Sequence, residues 1–136
     1  MDGQKHEAGQ SLLELAIVLP LLVLIVLGAL DLGRAFFTVI VISNASREGA
    51  RYLVLHPADN LGGYSGTEIA AIAEASGSFV TINVGDVNAT CADADADGCD
   101  SGSTAIVTVN NAFFPILGWF IPSPLPLTRS TEMLVP

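Results

Sequence analysis

Residues 15–30 run without one charged side chain, and Glu14 stands alone at the mouth of that run. Together with Ser11, Leu12 and Leu13 the run supplies roughly the 20 positions that a helix needs to cross about 30 Å of hydrocarbon. A single membrane-spanning helix is therefore the first constraint on the fold. Glu14 is the exception that needs a reason. An acidic side chain at mid-bilayer costs roughly 2.5–3.5 kcal/mol, and less near the interface. A carboxylate held there calls for a partner, and the nearest candidate is an amino terminus created by a cut between Gly9 and Gln10.

The helical pattern does not stop at the end of the apolar run. Residues 10–55 read as one helix of about 70 Å. Pro20 removes a backbone donor inside it and predicts a bend near Ala16 and Ile17, read either as a tolerated membrane kink or as a flexible point for leaving the bilayer. In the second half, Ala45, Gly49, Tyr52 and Leu53 share one face while Arg47 and Arg51 lie roughly opposite. The small residues let another backbone approach closely, and Glu48 is placed to pair with Arg51. His56-Pro57 ends the helix, because the residue before a proline is pushed out of the α region.

Beyond a glycine-rich stretch at Gly62, Gly63 and Gly66, Thr67 is the expected cap of a short helix ending at Gly77, with Ile69, Ile72 and Ala73 as its apolar side. Residues 79–84 and 105–109 alternate as strands do, and residues 127–134 make a third. The expected fold class is α+β: a long N-terminal transmembrane helix extended into a small, mostly antiparallel sheet domain. Residues 112–121 form an apolar run with Phe113, Phe114, Trp119 and Phe120 that is too short for a second span. It reads either as a loop filling the core or as an apolar lip against the membrane or a partner.

Three stretches together resemble a known family. Gly9-Gln10-Ser11-Leu12-Leu13-Glu14 looks like a class III signal, cut by prepilin peptidase after the glycine with the apolar helix retained. Asp31-Leu32-Gly33-Arg34-Ala35-Phe36-Phe37, followed by Asn44-Ala45-Ser46-Arg47-Glu48-Gly49-Ala50-Arg51-Tyr52, resembles the TadE-like proteins of the tight-adherence (Flp) pilus system. Leu127-Thr128-Arg129-Ser130-Thr131-Glu132-Met133 is similar to that family's last strand. The resemblance implies a pilin-like division into a leader (residues 1–9), a long helix (10–55) and a small periplasmic domain (56–136). It implies processing at Gly9 and Gln10 guided by Glu14, with Glu14 then pairing with an amino terminus during assembly. Asp31, Arg34, Arg47, Glu48, Gly49 and Arg51 would set helix register in that assembly. The partners it implies are prepilin peptidase, other pilin-like proteins and tight-adherence assembly proteins, at the bacterial inner membrane or within a surface pilus. Major pilins of this kind usually begin with Phe and carry an aromatic after the glutamate. Gln10 and Leu15 at those positions favour a minor component.

Charge placement narrows the partners further. Residues 10–55 balance Glu14, Asp31 and Glu48 against Arg34, Arg47 and Arg51, whereas the only Lys or Arg in 56–136 is Arg129. Such an acidic body argues against nucleic acid and against docking on anionic lipid. Counting Lys and Arg near the span would by itself place the carboxyl side in the cytoplasm, since Lys5 stands alone before it; the prepilin resemblance says the reverse. Cys91 and Cys99 break the tie, because their close spacing suits a disulfide in an oxidising compartment. A secretory signal removed after the apolar run would want a positive start, and the start is net acidic.

The acidic stretch between the cysteines is the other constellation with chemistry in it. Asp93, Asp95 and Asp97 followed by Gly98 match the first half of an EF-hand-type loop, and Asp100 could add a carboxylate. The closing glutamate is replaced by Thr104, so the expectation is a solvated acidic turn or a weak calcium site, and otherwise no cofactor. No nucleophile, zinc or phosphate-loop pattern appears, and the expected role is not enzymatic. The competing reading is a signal-anchored periplasmic domain that binds calcium or another ligand and never joins a pilus.

Overall fold

A computed structural model describes residues 3–57, 66–92, 94–95 and 98–136. Helix α1 (Gly3–Leu55) runs unbroken through Pro20. From Gly9 to Val26 every position is exposed, and burial begins only around Leu27 and Gly28. Residues 9–26 of α1 are therefore a bare apolar stalk, and the domain is built on the second half of the helix. There Ile42, Ala45, Ala50 and Leu53 are fully covered; of the expected face, Ala45, Gly49 and Leu53 are buried and Tyr52 is half-buried.

Three strands form the main sheet in the order β1 (Val87–Cys91), β4 (Thr104–Phe113), β5 (Leu125–Leu134), all antiparallel. Two very short strands, β2 (Ala94–Asp95) and β3 (Gly98–Cys99), pair with each other. Central β4 alternates as a half-buried strand should: Ala105, Val107 and Val109 are fully buried against α1. Its other face is polar, with Thr108 bonded to Ser130 at 3.2 Å and Thr128 to Asn110 at 2.7 Å. Pro126 lacks an N–H, which an edge strand such as β5 tolerates. Helix and sheet are tied by a side-chain bond as well as by packing. Ser46 is buried, donates to the Ser43 carbonyl at 2.9 Å and shares a 2.7 Å bond with the Thr131 hydroxyl on β5.

Helix α2 (Gly66–Ala75) lies across α1. It buries Thr67, Ala71 and Ala75, not the residues expected to face inward: Ile69 and Ala73 are exposed and Ile72 is half-buried. Close approach explains the inversion. A Cβ added at Gly49 would lie 3.1 Å from Val107, 3.3 Å from Ala71 and 3.3 Å from the Thr67 carbonyl, so the two helices meet through their smallest residues. Gly49→Leu should overpack this contact and destabilise the domain by about 1–3 kcal/mol. Gly49→Ala should be close to neutral, because about 1 kcal/mol of helix propensity offsets the squeeze. Thermal melting of the full chain in detergent measures both, and a Leu variant that melts like wild type would contradict the close packing.

A second expectation is also corrected. Residues 79–84 do not join the sheet; the strand is the following segment, β1, in register Val87 to Val109 through Cys91 to Ala105. The alternation at 79–84 is genuine in that Ile82 is buried and Phe79 exposed. The ladder is stopped by a 3-10 turn at Val84–Asp86, where the Asp86 carboxylate accepts from the Asn83 N–H at 2.8 Å and from its side-chain amide at 3.0 Å. Asn111 then reaches the Thr81 carbonyl with its side chain at 2.9 Å, standing in for a backbone rung.

Candidate assembly and docking sites along the helix

The residues expected to govern processing lie on the bare stalk. Gly9, Gln10 and Glu14 are all exposed, and Glu14 makes no ion pair or hydrogen bond among the described residues. A Cβ at Gly9 would touch nothing within 4 Å, so packing within this chain gives no reason for glycine there.

Asp31 is the first residue past the apolar run and is buried. Its two carboxylate oxygens accept separate backbone bonds from across the molecule, one from the Ile116 N–H at 2.8 Å and the other from the Leu117 N–H at 2.9 Å. Arg34, one turn along, donates to the same carboxylate at 3.2 Å, and its guanidinium sits 5.3 Å over the Phe113 ring. The Arg34 carbonyl accepts from the Thr38 hydroxyl at 2.9 Å. Asp31 and Arg34 therefore form a clasp that pins the loop after β4 to the helix, and the Arg34 side chain stays half exposed. Nothing local to Asp31 signalled this partner. The usable clue was a carboxylate placed where an unpaired charge would be costly.

Of the apolar run, only Phe113 and Leu117 are buried, so it does not fill the core. Phe114, Ile116, Trp119 and Phe120 point outward. Between this loop, the helix and residues 79–83 lies an open cleft of about 870 Å³ lined by Leu30, Phe37, Phe79 and Phe114 among others.

Arg47, Glu48 and Arg51 lie farther along the helix, with Arg47 and Arg51 exposed and Glu48 half-buried. Glu48 pairs with Arg51 at 3.8 Å on the surface, an ion pair of small energetic weight in water. These three residues border a shallow groove of about 390 Å³ that Asn44, Glu74 and Met133 complete. Cys91 and Cys99 are joined by a disulfide with a Cα–Cα distance of 5.7 Å, within the ordinary range. Closing so short a loop contributes about 2.5 kcal/mol by chain entropy. Asp93 and Asp97, and the side chain of Asp95, lie outside the described residues; Asp100 is exposed, with its carbonyl accepting from the Ser103 N–H and hydroxyl.

By length and composition α1 is able to cross a membrane once, and it carries a small α+β domain at one end. That combination suits a single-pass, membrane-anchored domain. Residues 9–51 match the family model described as TadE-like protein, the same family that the helix motifs resemble. The match begins at Gly9 and ends at Arg51, and so takes in the stalk, the Asp31–Arg34 clasp and the Arg47–Arg51 face. No curated protein and no solved structure matches the chain.

Proposed function

We propose that the chain is a minor, pilin-like component of tight-adherence pilus assembly, cut by prepilin peptidase between Gly9 and Gln10. The family match over the helix supports involvement in such assembly. The observation that carries the finer reading is the bare stalk: an exposed apolar helix on which Gly9 and Glu14 meet no partner among the described residues. After processing, Glu14 pairs with the amino terminus of a neighbouring subunit, and the Arg47, Glu48 and Arg51 face meets other pilin-like or tight-adherence proteins. The Asp31–Arg34 clasp serves the chain's own domain, residues 56–136, which stands in the periplasm where the Cys91–Cys99 disulfide persists.

The test is the mass of the protein from cells with an active peptidase, combined with fractionation. Loss of residues 1–9 from the wild type is expected, with Gly9→Val left as intact precursor, because the enzyme must approach the backbone at that position. Recovery with sheared filaments as well as membranes would place the chain in the filament. A wild-type protein that retains residues 1–9 would overturn the reading.

A further inference from the structure

We propose that the loop at residues 114–121 is a bilayer anchor, seated in the interfacial region of the leaflet from which α1 emerges. The proposal rests on α1 spanning the membrane and commits to lipid as the occupant of this surface.

Position is the first argument. The loop is clasped at Asp31, and Leu117 lies against Gly28, so it meets the helix where the apolar run ends. If residues 11–30 fill the hydrocarbon, the loop is level with the boundary. Leu30, exposed at the end of the span, lines the same cleft as Phe114 of the loop.

Chemistry is the second. Residues 101–128 contain no Asp, Glu, Lys or Arg, although the domain as a whole is strongly acidic. Trp119 is 82% exposed, with Phe114, Phe120 and Ile116 also outward. Trp with neighbouring aromatics is the composition that settles at the headgroup level, apolar ring inward and indole N–H toward water.

Backbone bonding is the third, and it lowers the cost of seating the loop against lipid. A segment entering lipid must satisfy its own polar groups. The Ile116 and Leu117 N–H groups go to Asp31, Gly118 donates to the Pro115 carbonyl, and Phe120 and Ile121 both donate to the Leu117 carbonyl. Pro115 and Pro122 have no N–H to satisfy. Few donors remain to be desolvated, and the clasp removes two of them.

Trp119 is the chain's sole tryptophan, so its fluorescence reports on this loop alone. The full chain is reconstituted in phosphatidylcholine vesicles, with iodide supplied on both sides and with acyl chains brominated at shallow or deep carbons. The expected result is emission blue-shifted from that of the urea-unfolded chain, stronger quenching by shallow than by deep bromines, and weak quenching by iodide. Phe120→Asp should lose most of the bromine quenching and gain iodide quenching. Water-like emission quenched by iodide, in chain that floats with the vesicles, would overturn the proposal. So would blue-shifted emission insensitive to bromine, which would mean that a second copy covers the loop. A chain that fails to float with the vesicles would instead sink the spanning reading on which the proposal stands.

Discussion

Asp31→Ala is expected to release the loop after β4 from the helix while leaving the sheet paired. The carboxylate accepts two backbone N–H bonds from Ile116 and Leu117, one of them fully buried. Bonds to a charged acceptor are the stronger kind, and deleting the acceptor also strands the donors. Amide exchange at Ile116 and Leu117 should accelerate by roughly ten- to a hundredfold, with little change at Val107 or Val109 in central β4. Asp31→Asn should fall between the two, since one oxygen survives while an N–H₂ is turned toward the other donor. Arg34→Ala should have a much smaller effect than Asp31→Ala, because its ion pair is half exposed and water competes for it. Equal effects from the Asp31 and Arg34 variants would mean that the ion pair, not the backbone clasp, holds the loop.

Glu14→Ala is expected to leave the chain inserted and cut after Gly9, yet to reduce its recovery with pilus partners by at least about tenfold. Removing a carboxylate at the edge of an apolar run makes insertion easier, not harder. The loss appears only in assembly, where the amino terminus of an adjoining subunit would be left as an uncompensated charge in a low-dielectric setting. Glu14→Asp keeps the charge with a shorter reach and should restore part of the recovery. Quantitative copurification of the three variants, each normalised to its processed form, checks the idea. Wild-type recovery by Glu14→Ala would restrict the residue to a signal for processing.

The features that could be read from the sequence are those written in local periodicity. A charge-free run marks the stalk, spacing of three and four marks the face of Ala45, Gly49 and Leu53, alternation marks the first half of β4, and residues 127–134 give most of β5. His56-Pro57 marks the helix end by sterics alone. The Cys91–Cys99 pairing was likewise accessible from spacing. Alternation was not sufficient at residues 79–84. Strand identity depends on which neighbour supplies the ladder, and the Asn83–Asp86 turn gave that place to residues 87–91. The apolar face of α2 was inverted for a related reason: Gly49 brings α1 so close that the Thr67 backbone and the small Ala71 side chain lie against it.

At the candidate sites the same division holds. Gly9 and Glu14 stand out because they interrupt or precede an otherwise uniform segment, and their expected roles need no contact within the chain. The work of Asp31 was invisible until folding brought Ile116 and Leu117 to it across more than 80 positions. Periodicity records how a residue meets its immediate neighbours and one buried face. It carries no record of which distant backbone donors a carboxylate will meet, because that is decided by loop path and helix docking together. The sequence by itself therefore determined the long apolar helix and the small strand-bearing domain that follows it. The tertiary structure alone decided that the aromatic loop is pinned beside the point where the apolar run ends.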